Sequence, residues 1–478
     1  MADAEGIAHG RRYLVAQLLN PSRRAHYDDP GLHPNHSRDR KFTPRPVCRT
    51  RHPSRPLAPG RCGILPRGRS VWLNREDRNA LGLFRQELMS MLRFLTAGES
   101  HGPELVAVVE GVPAGFEIDV TKINHDLARR QKGYGRGGRM LIEKDEVRSV
   151  SGIRFGRTIG SPVTFIIVNR DFKSWEKRMS ADPRDRGEAK VVTRPRPGHA
   201  DLAGVLKYNL EDIRDVLERA SARETTARVA IGAFAKQFIA PFGIDILGYV
   251  ISIGATVAKI PHQPSLAELR AATEESAVRV ADAEAERTII EEIDACKKTG
   301  DTLGGVVEVV ATGIPVGLGS HVQWDRKLDG RVAHALMSLQ ATKGVEFGIG
   351  FEAGRVRGSA LHDEIGFDTA ERRFTRRSNN SGGTEGGMST GEPLRVRVAF
   401  KPLSTLMQPL RSVDIRSKEE AEGTIERSDV CAIPAAAVIA ESVVAFELAN
   451  AFLEKFGGDS LAEITRNYQG YLKQVRDF

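Results

Sequence analysis

The strongest constraint on the fold is a repeated junction. Arg219-Ala220-Ser221 and Arg427-Ser428-Asp429 each set an arginine and a capping side chain ahead of a long apolar helical stretch. The first stretch, residues 221–239, opens with Ser221 as N-cap and carries Val229, Ala233, Phe234 and Phe238 as an apolar stripe. The second, residues 428–455, opens with Ser428 and Asp429. A looser pairing sets Gly160-Ser161-Pro162-Val163-Thr164 beside Leu303-Gly304-Gly305-Val306-Val307. These pairings predict an internally duplicated, layered fold with strands packed against helices.

Around these helices the chain alternates. Residues 92–95 form a short strand that runs into Gly98-Glu99-Ser100-His101-Gly102, and residues 104–110 resume as a strand, so that loop lies between two strands. Residues 119–130 have an Asp or Thr cap and apolar Ile123 and Leu127 at helical spacing, and they end at a glycine- and arginine-rich run, residues 133–139. Residues 147–153, 162–168, 305–311 and 394–400 read as strands, and residues 202–210 and 326–339 as helices. An acidic, Ala-rich helical stretch, residues 267–298, reads as an exposed face.

Charge is unevenly spread. Residues 1–90 hold 17 Lys plus Arg against 8 Asp plus Glu, a net of +9 in a chain whose total is +8, so the remainder is near neutral at −1. This leader also has nine of the 23 prolines and five of the 12 histidines and no sustained apolar period. It is expected to be mostly disordered. A transit peptide, a nucleic-acid or membrane-surface arm, and a working start at Met91 are its alternative readings, and the last is favoured. The best candidate for a membrane span, residues 435–453, contains Glu441 and Glu447. Cys48, Cys62, Cys296 and Cys431 are far apart and suggest neither a disulfide framework nor a zinc site. A reducing cytoplasm fits this usage, and no metal, membrane or nucleic-acid partner is expected.

The motifs share one kind of chemistry. Arginines give fixed cationic forks, histidines exchange protons near neutral pH, and glycines let backbone approach a ligand closely. In the first glycine loop His101 serves as proton donor or anion binder with Ser100 as its hydrogen-bond partner, or the loop is only a tight turn. Residues 133–139 make a poor dinucleotide fingerprint; they suit an anion clamp of Arg136 and Arg139 with Arg130 nearby, or a solvated basic loop. Residues 194–201 either hold His199 at a defined place at the head of a helix, after two prolines and a glycine, or are only a capped helix start with Asp201 as the cap. The Arg219 and Arg427 junctions suit a phosphate at a helix N-terminus, or ordinary capping. Lys401-Pro402-Leu403-Ser404-Thr405 brings an ammonium and two hydroxyls to a strand end, and residues 381–388 are glycine-rich enough to approach a flat ligand, or to act as a linker.

Taken in this order, residues 98–102, 133–140, 194–201, 219–223, 382–391, 401–405 and 427–434 resemble the signature segments of the chorismate synthase family, from Met91 to the C-terminus. That resemblance implies a carbon–oxygen lyase: anti-1,4-elimination of phosphate from 5-enolpyruvylshikimate 3-phosphate to give chorismate, in aromatic amino-acid biosynthesis. It implies reduced FMN without net redox change, a single-domain α+β fold of βαβ sandwich type, and a homotetramer. Two departures are the leader itself and Thr390, which stands where many members have Asn or Ser.

By matched motif, Arg219, Ala220, Ser221, Gln340, Ala341, Gly386, Lys401, Pro402, Leu403, Ser404, Thr405 and Arg427 would contact FMN. Arg130 and Arg136 match positions that hold either a nicotinamide nucleotide (NADP) or the anionic groups of the substrate, with Arg139 and Ser100 beside them. His101 and His199 match two acids, directed toward the departing phosphate and the flavin. Asp429 matches the carboxylate that helps the flavin N5 take the C6 proton. No flavin-reductase segment is evident, so reduced FMN would come from outside, through an NADPH-dependent or other reductant. Competing readings are a phosphate-backbone-binding protein, disfavoured by the near-neutral core, and a flavin redox enzyme, which would oxidise flavin stoichiometrically.

Overall fold

The computed structural model describes residues 92–138, 142–187, 190–260, 264–426 and 428–478. The expectations for the leader, Arg139 and Arg427 lie outside these residues.

The first half runs β1 (Arg93–Ala97), β2 (Glu104–Glu110), α1 (Val120–Gln131), β3 (Val147–Ser151) and β4 (Val163–Val168). Two short helices, α2 (Asp201–Tyr208) and α3 (Arg214–Ala220), precede its closing helix α4 (Thr225–Ile239). The second half begins with β5 (Asp245–Ile253), followed by α5 (Leu266–Glu275), α6 (Ala283–Thr299) and β6 (Gly305–Thr312). It continues through α7 (Leu328–Met337), β7 (Thr342–Phe347) and β8 (Leu394–Phe400) to its closing helix α8 (Ile433–Phe456). A last helix, α9 (Leu461–Asp477), follows.

The predicted duplication is visible in the topology. The first sheet has the order β1-β2-β4-β3 and the second β5-β6-β8-β7, all neighbours antiparallel, with the short strand Thr256–Val257 added beside β5. With the inserted helices α2, α3, α5 and α6 set aside, each half is β-β-α-β-β-α with the same strand order, α1 corresponding to α7 and α4 to α8. Arg219-Ala220-Ser221 lies ahead of α4, and Ser428 and Asp429 lie ahead of α8. The glycine pairing does not hold: residues 160–164 lead into β4, whereas residues 303–307 lead into β6, the counterpart of β2.

The two closing helices lie between the sheets. α4 packs on β1, β2 and β4, α8 packs on β5, β6 and β8, and the two closing helices pack on each other. Alternation gives β2, β4 and β8 one apolar face each: Leu105, Ala107 and Val109 on β2, Phe165 and Ile167 on β4, and Leu394, Val396 and Val398 on β8 enter one continuous core. All of α8 except Glu447, Glu454 and Lys455 is buried, so the apolar stretch around residues 435–453 is the central core helix.

Several sequence-based boundaries shift. Ser428 and Asp429 do not cap α8; its N-cap is Ala432 and Pro434 occupies the first turn, where a missing N–H costs nothing. Residues 214–220 form a separate helix ending at Arg219 and Ala220, and Ser221 caps the short turn Ala222–Glu224 that leads into α4, accepting from the Arg223 N–H. Asp201 is the first residue of α2 rather than its cap, because its carboxylate turns back onto Arg196. The stretch read as one exposed helix is two, α5 and α6, with Val278 and Val280 buried between them.

Candidate active site

The β1–β2 connection is drawn tight by Gly98, whose φ is +102° and whose absent Cβ would lie 2.3 Å from the Glu104 carbonyl oxygen. The loop lies against α3. Ser100 is buried, donates its N–H to the Glu218 carbonyl at 3.1 Å and accepts the Ser221 hydroxyl at 3.1 Å. The His101 N–H reaches Glu218 Oε2 at 2.8 Å, while its Nδ1 lies 2.9 and 3.1 Å from the two carboxylate oxygens. The imidazole stacks on Trp175 with centroids 4.0 Å apart and planes 25° apart. One residue on, Arg219 donates to the Gly98 carbonyl at 3.1 Å and to the Thr96 carbonyl and hydroxyl at 2.9 and 2.8 Å. Burial would push the Glu218 carboxyl up, but His101 and Arg214 hold it below its ordinary value.

His199 stands just ahead of α2 with Nδ1 2.5 Å from Asp201 Oδ1. Arg196 donates Nε to Asp201 Oδ2 at 2.9 Å and Nη1 to Thr405 Oγ1 at 2.8 Å. Burial raises the Asp201 carboxyl, yet His199 and Arg196 outweigh it and keep the group well below the carboxylate range. The Lys401 ammonium donates to the Gly198 carbonyl at 2.9 Å, and Ser404 also faces that glycine. Burial and the neighbouring Lys343 lower the Lys401 ammonium.

These loops form one hydrogen-bonded circuit. Lys401 donates its N–H to the carbonyl of Ala341, whose φ is +68°, and the Gln340 amide reaches Glu224 Oε2 at 3.2 Å. Glu224 in turn accepts the Thr96 hydroxyl at 2.9 Å, back at the end of β1. His101, His199, Ser100, Arg219, Ser221, Gln340, Ala341, Lys401, Ser404 and Thr405 thus share one connected region. The Leu403 carbonyl accepts from Thr302, and Pro402 packs on Gly304. Between Phe94, Leu95, Thr96, Arg219, Glu224, Arg228 and Gln340 lies an open cleft of about 330 Å³. Gly386 sits elsewhere: it turns the Thr384–Glu385 and Met388–Ser389 hairpin beside His321, and its neighbour Gly387 accepts from Leu328 at the start of α7, the end opposite Gln340.

The arginines form a second cluster. Arg130, at the end of α1, is 4% exposed; it donates to Thr225 Oγ1 at 2.9 and 3.1 Å and to the Ala222 carbonyl at 3.0 Å. Its Nη1 is buried without a hydrogen-bond partner among the described residues, 3.7 Å from Asp145. Burial brings this guanidinium down to about 9, Asp145 opposing and Arg136 and Arg223 adding to the fall. Arg136 pairs with Asp429 at 3.1 Å, and the Gly137 N–H donates to the same carboxylate at 2.6 Å. Gly137 allows that approach, since a Cβ there would stand 3.0 Å from the Ser428 carbonyl oxygen.

Sequence reasoning gave no role to Glu218, Trp175, Arg196, Asp145 or Arg223. Arg223 is buried on Asp145 and Asn169 at 2.7 Å each, which makes it a support of the cluster. Its spacing from Ser221 was visible, but the partners of Arg223 and of Glu218 come from distant segments.

A family model described as Chorismate synthase matches residues 92–453. The chain is similar to the chorismate synthase of Geobacter sulfurreducens, 58% identical over 396 residues that cover 81% of this chain and 100% of that protein. It is likewise similar to the enzyme of that name from Symbiobacterium thermophilum, 59% identical over 389 residues and 80% and 99% of the two chains. A solved structure described as the crystal structure of chorismate synthase superposes with a TM-score of 0.66 at 42% identity, over 82% of this chain and all of that one.

Proposed function

The chain belongs to the chorismate synthase family, and on that premise we propose that it forms chorismate by anti-1,4-elimination of phosphate from 5-enolpyruvylshikimate 3-phosphate, with reduced FMN bound and no net redox change. The observation that carries the reading is the pairing of two histidines, each with Nδ1 on a buried carboxylate, in one circuit with the residues expected to hold the cofactor.

A flavin fits the residues present. Gln340, which lines the same cleft as Arg219, has its Oε1 buried without a hydrogen-bond partner among the described residues, as has Thr342 Oγ1 two residues on, and the cationic Lys401 stands on the same circuit. Such orphaned groups ask for a polar ligand. When bound, reduced flavin supplies transient electron density to the allylic carbon that loses phosphate.

The protein's part is electrostatic and prototropic. Arg130 and Arg136, with Arg139, hold the phosphate and carboxylates; the orphaned Nη1 of Arg130 supports an anion there in place of a solvated loop. His101 donates a proton to the departing phosphate, and His199 acts as the acid on the flavin side. Asp429, fixed by Arg136 and the Gly137 N–H, assists removal of the C6 proton. A homotetramer in the cytoplasm, supplied with reduced FMN by an external NADPH-dependent reductase, completes the proposal.

The test is an anaerobic assay of the full chain with reduced FMN and the enolpyruvyl phosphate. Phosphate and chorismate should appear in equal amounts with flavin still reduced. No phosphate release from folded, flavin-loaded protein overturns the reading, and stoichiometric flavin oxidation points to a redox enzyme.

A further inference from the structure

His101 is held by a carboxylate that no part of its own loop supplies. Glu218 lies on α3, 117 residues along the chain, and its side chain is 1% exposed. Burying a carboxylate is costly unless its oxygens are occupied. Here they receive the His101 N–H at 2.8 Å, the His101 Nδ1 at 2.9 and 3.1 Å, and Arg214 Nη1 at 3.2 Å.

We propose that Glu218 is the positioning residue that fixes the tautomer of His101, keeping its Nδ1 protonated so that proton transfer to substrate runs through Nε2. The proposal rests on the reading of His101 as the acid of the elimination. An ionised carboxylate only accepts hydrogen bonds, so the nitrogen facing Glu218 must carry the hydrogen. The neutral ring then has its lone pair on Nε2, the one nitrogen that can take up a proton and pass it on. Glu218 also grips the main-chain N–H of the same residue, so ring and backbone are registered to one group.

The surroundings hold this pair in place. Trp175 stacks flat on the imidazole, which opposes rotation of the ring about its Cβ–Cγ bond. The guanidinium of Arg214 lies 5.2 Å from the centroid of the same indole and donates at 2.8 Å to Glu426. Arg214 therefore ties Glu218 both to the aromatic plate and to the segment that leads to Asp429. The second histidine repeats the pattern: His199 faces Asp201, which is 1% exposed, and Arg196 takes the place of Arg214. In that case all three residues lie within six positions of sequence. For His101 the same histidine–carboxylate–arginine unit is assembled from two separate parts of the chain, which suits a device for orienting a ring better than incidental local packing does.

Glu218→Gln tests this in the full chain. Glutamine can still accept the His101 N–H, but its amide donates toward Nδ1 and selects the opposite tautomer. In ¹⁵N-histidine NMR, His101 of the unsubstituted protein should show a protonated Nδ1 and a bare Nε2 when neutral, and Glu218→Gln should exchange the two. Turnover should fall by about 10²-fold or more, as expected for a proton-transfer histidine left in the wrong tautomer, with KM for the enolpyruvyl substrate changed less than about threefold. Glu218→Asp, which keeps an acceptor, should retain the Nδ1 hydrogen and recover part of the rate. An unchanged tautomer with near-normal turnover in folded Glu218→Gln overturns the proposal, as does a bare Nδ1 in the neutral ring of the unsubstituted protein, a measurement that needs no variant to fold. If the unsubstituted chain releases no phosphate, the proposed function fails, while the tautomer still decides what Glu218 does.

Discussion

Gly232 on α4 meets Ser442 on α8 so closely that a Cβ on the glycine would lie 2.3 Å from the serine Cβ and 2.4 Å from its Cα and carbonyl oxygen. Two of the three obstructing atoms are backbone, so no rotamer change relieves the clash. The crossing of the two closing helices, where the halves of the duplicated fold meet, therefore depends on this glycine. Gly232→Ala should lower the unfolding free energy by about 3 kcal/mol, at the upper end of overpacking effects. Gly470→Ala, on α9 where nothing stands within 4 Å, should instead raise it by roughly 0.5–1 kcal/mol through helix propensity. Urea denaturation of both variants checks the contrast, and equal effects would contradict it.

The two histidines predict a separation of rate from binding. Because each is anchored through Nδ1 to a carboxylate of the protein, removing either ring should leave the cleft near Arg219 and Gln340 in place. His101→Ala and His199→Ala should each cut turnover by about 10²–10⁴-fold, the usual range for a general acid, with flavin affinity changed less than about threefold. Rapid-quench phosphate release and anaerobic flavin titration measure the two quantities. Unchanged turnover in both variants would refute the acid roles.

Arg130 predicts a contact with an anion. Burial and the neighbouring Arg136 and Arg223 disfavour its charge in the ligand-free protein, with Asp145 opposing them, yet an arginine keeps its proton across the working pH range. An anion seated there supplies the counter-charge that this guanidinium lacks. Arg130→Gln should therefore weaken binding of the phosphorylated substrate by about tenfold or more, in line with loss of a charge-assisted contact. Calorimetric titration at pH 7 reads this, and unchanged affinity would refute the contact.

How far these sites could be read from sequence depends on where the partners lie. Strands β2 and β8 were legible to the residue because alternation is local, whereas the cap of α1 was left open between Asp and Thr and is Asp119, which accepts from Thr121. The Arg196–His199–Asp201 run left a capped helix start and a placed histidine both open, because a carboxylate at a helix start suits either; the Asp201 carboxylate is in fact on Arg196 and His199. Glu218 gave no signal, being one glutamate in a short amphipathic stretch whose partner lies 117 residues away. The junction ahead of α8 misled in the same way: Ser428 and Asp429 have the composition of a cap, but Asp429 is drawn to Arg136 and Gly137. The equivalence of the halves was sound at the helices and wrong at the glycines, where a short turn composition recurs without topological meaning.

At the centre of α8 the Glu441 carboxylate is 0% exposed and receives Arg129 at 2.8 and 2.9 Å, Lys236 at 2.6 Å and the Gly248 N–H at 2.9 Å. Burial would raise this carboxyl, but Lys236 and Arg129 hold it well below its ordinary value. On the other side of Arg129, Glu274 is raised by burial and lowered more strongly by Arg279 and Arg129, to about 2. A carboxylate depressed in the folded state contributes stability that is fully present above its unfolded value, about 4.3, and is lost as pH falls through the folded one. The urea midpoint of the protein should therefore drop steeply from about pH 4.3 toward 2. Glu441→Gln leaves Arg129 and Lys236 with an uncompensated charge, so it should cost about 3–5 kcal/mol at pH 7. It should also flatten the acid slope, because one fewer proton is taken up on unfolding. A variant with the same midpoint at pH 7 and the same slope below pH 4 would show that Glu441 does not anchor the interface between α1, α4 and α8.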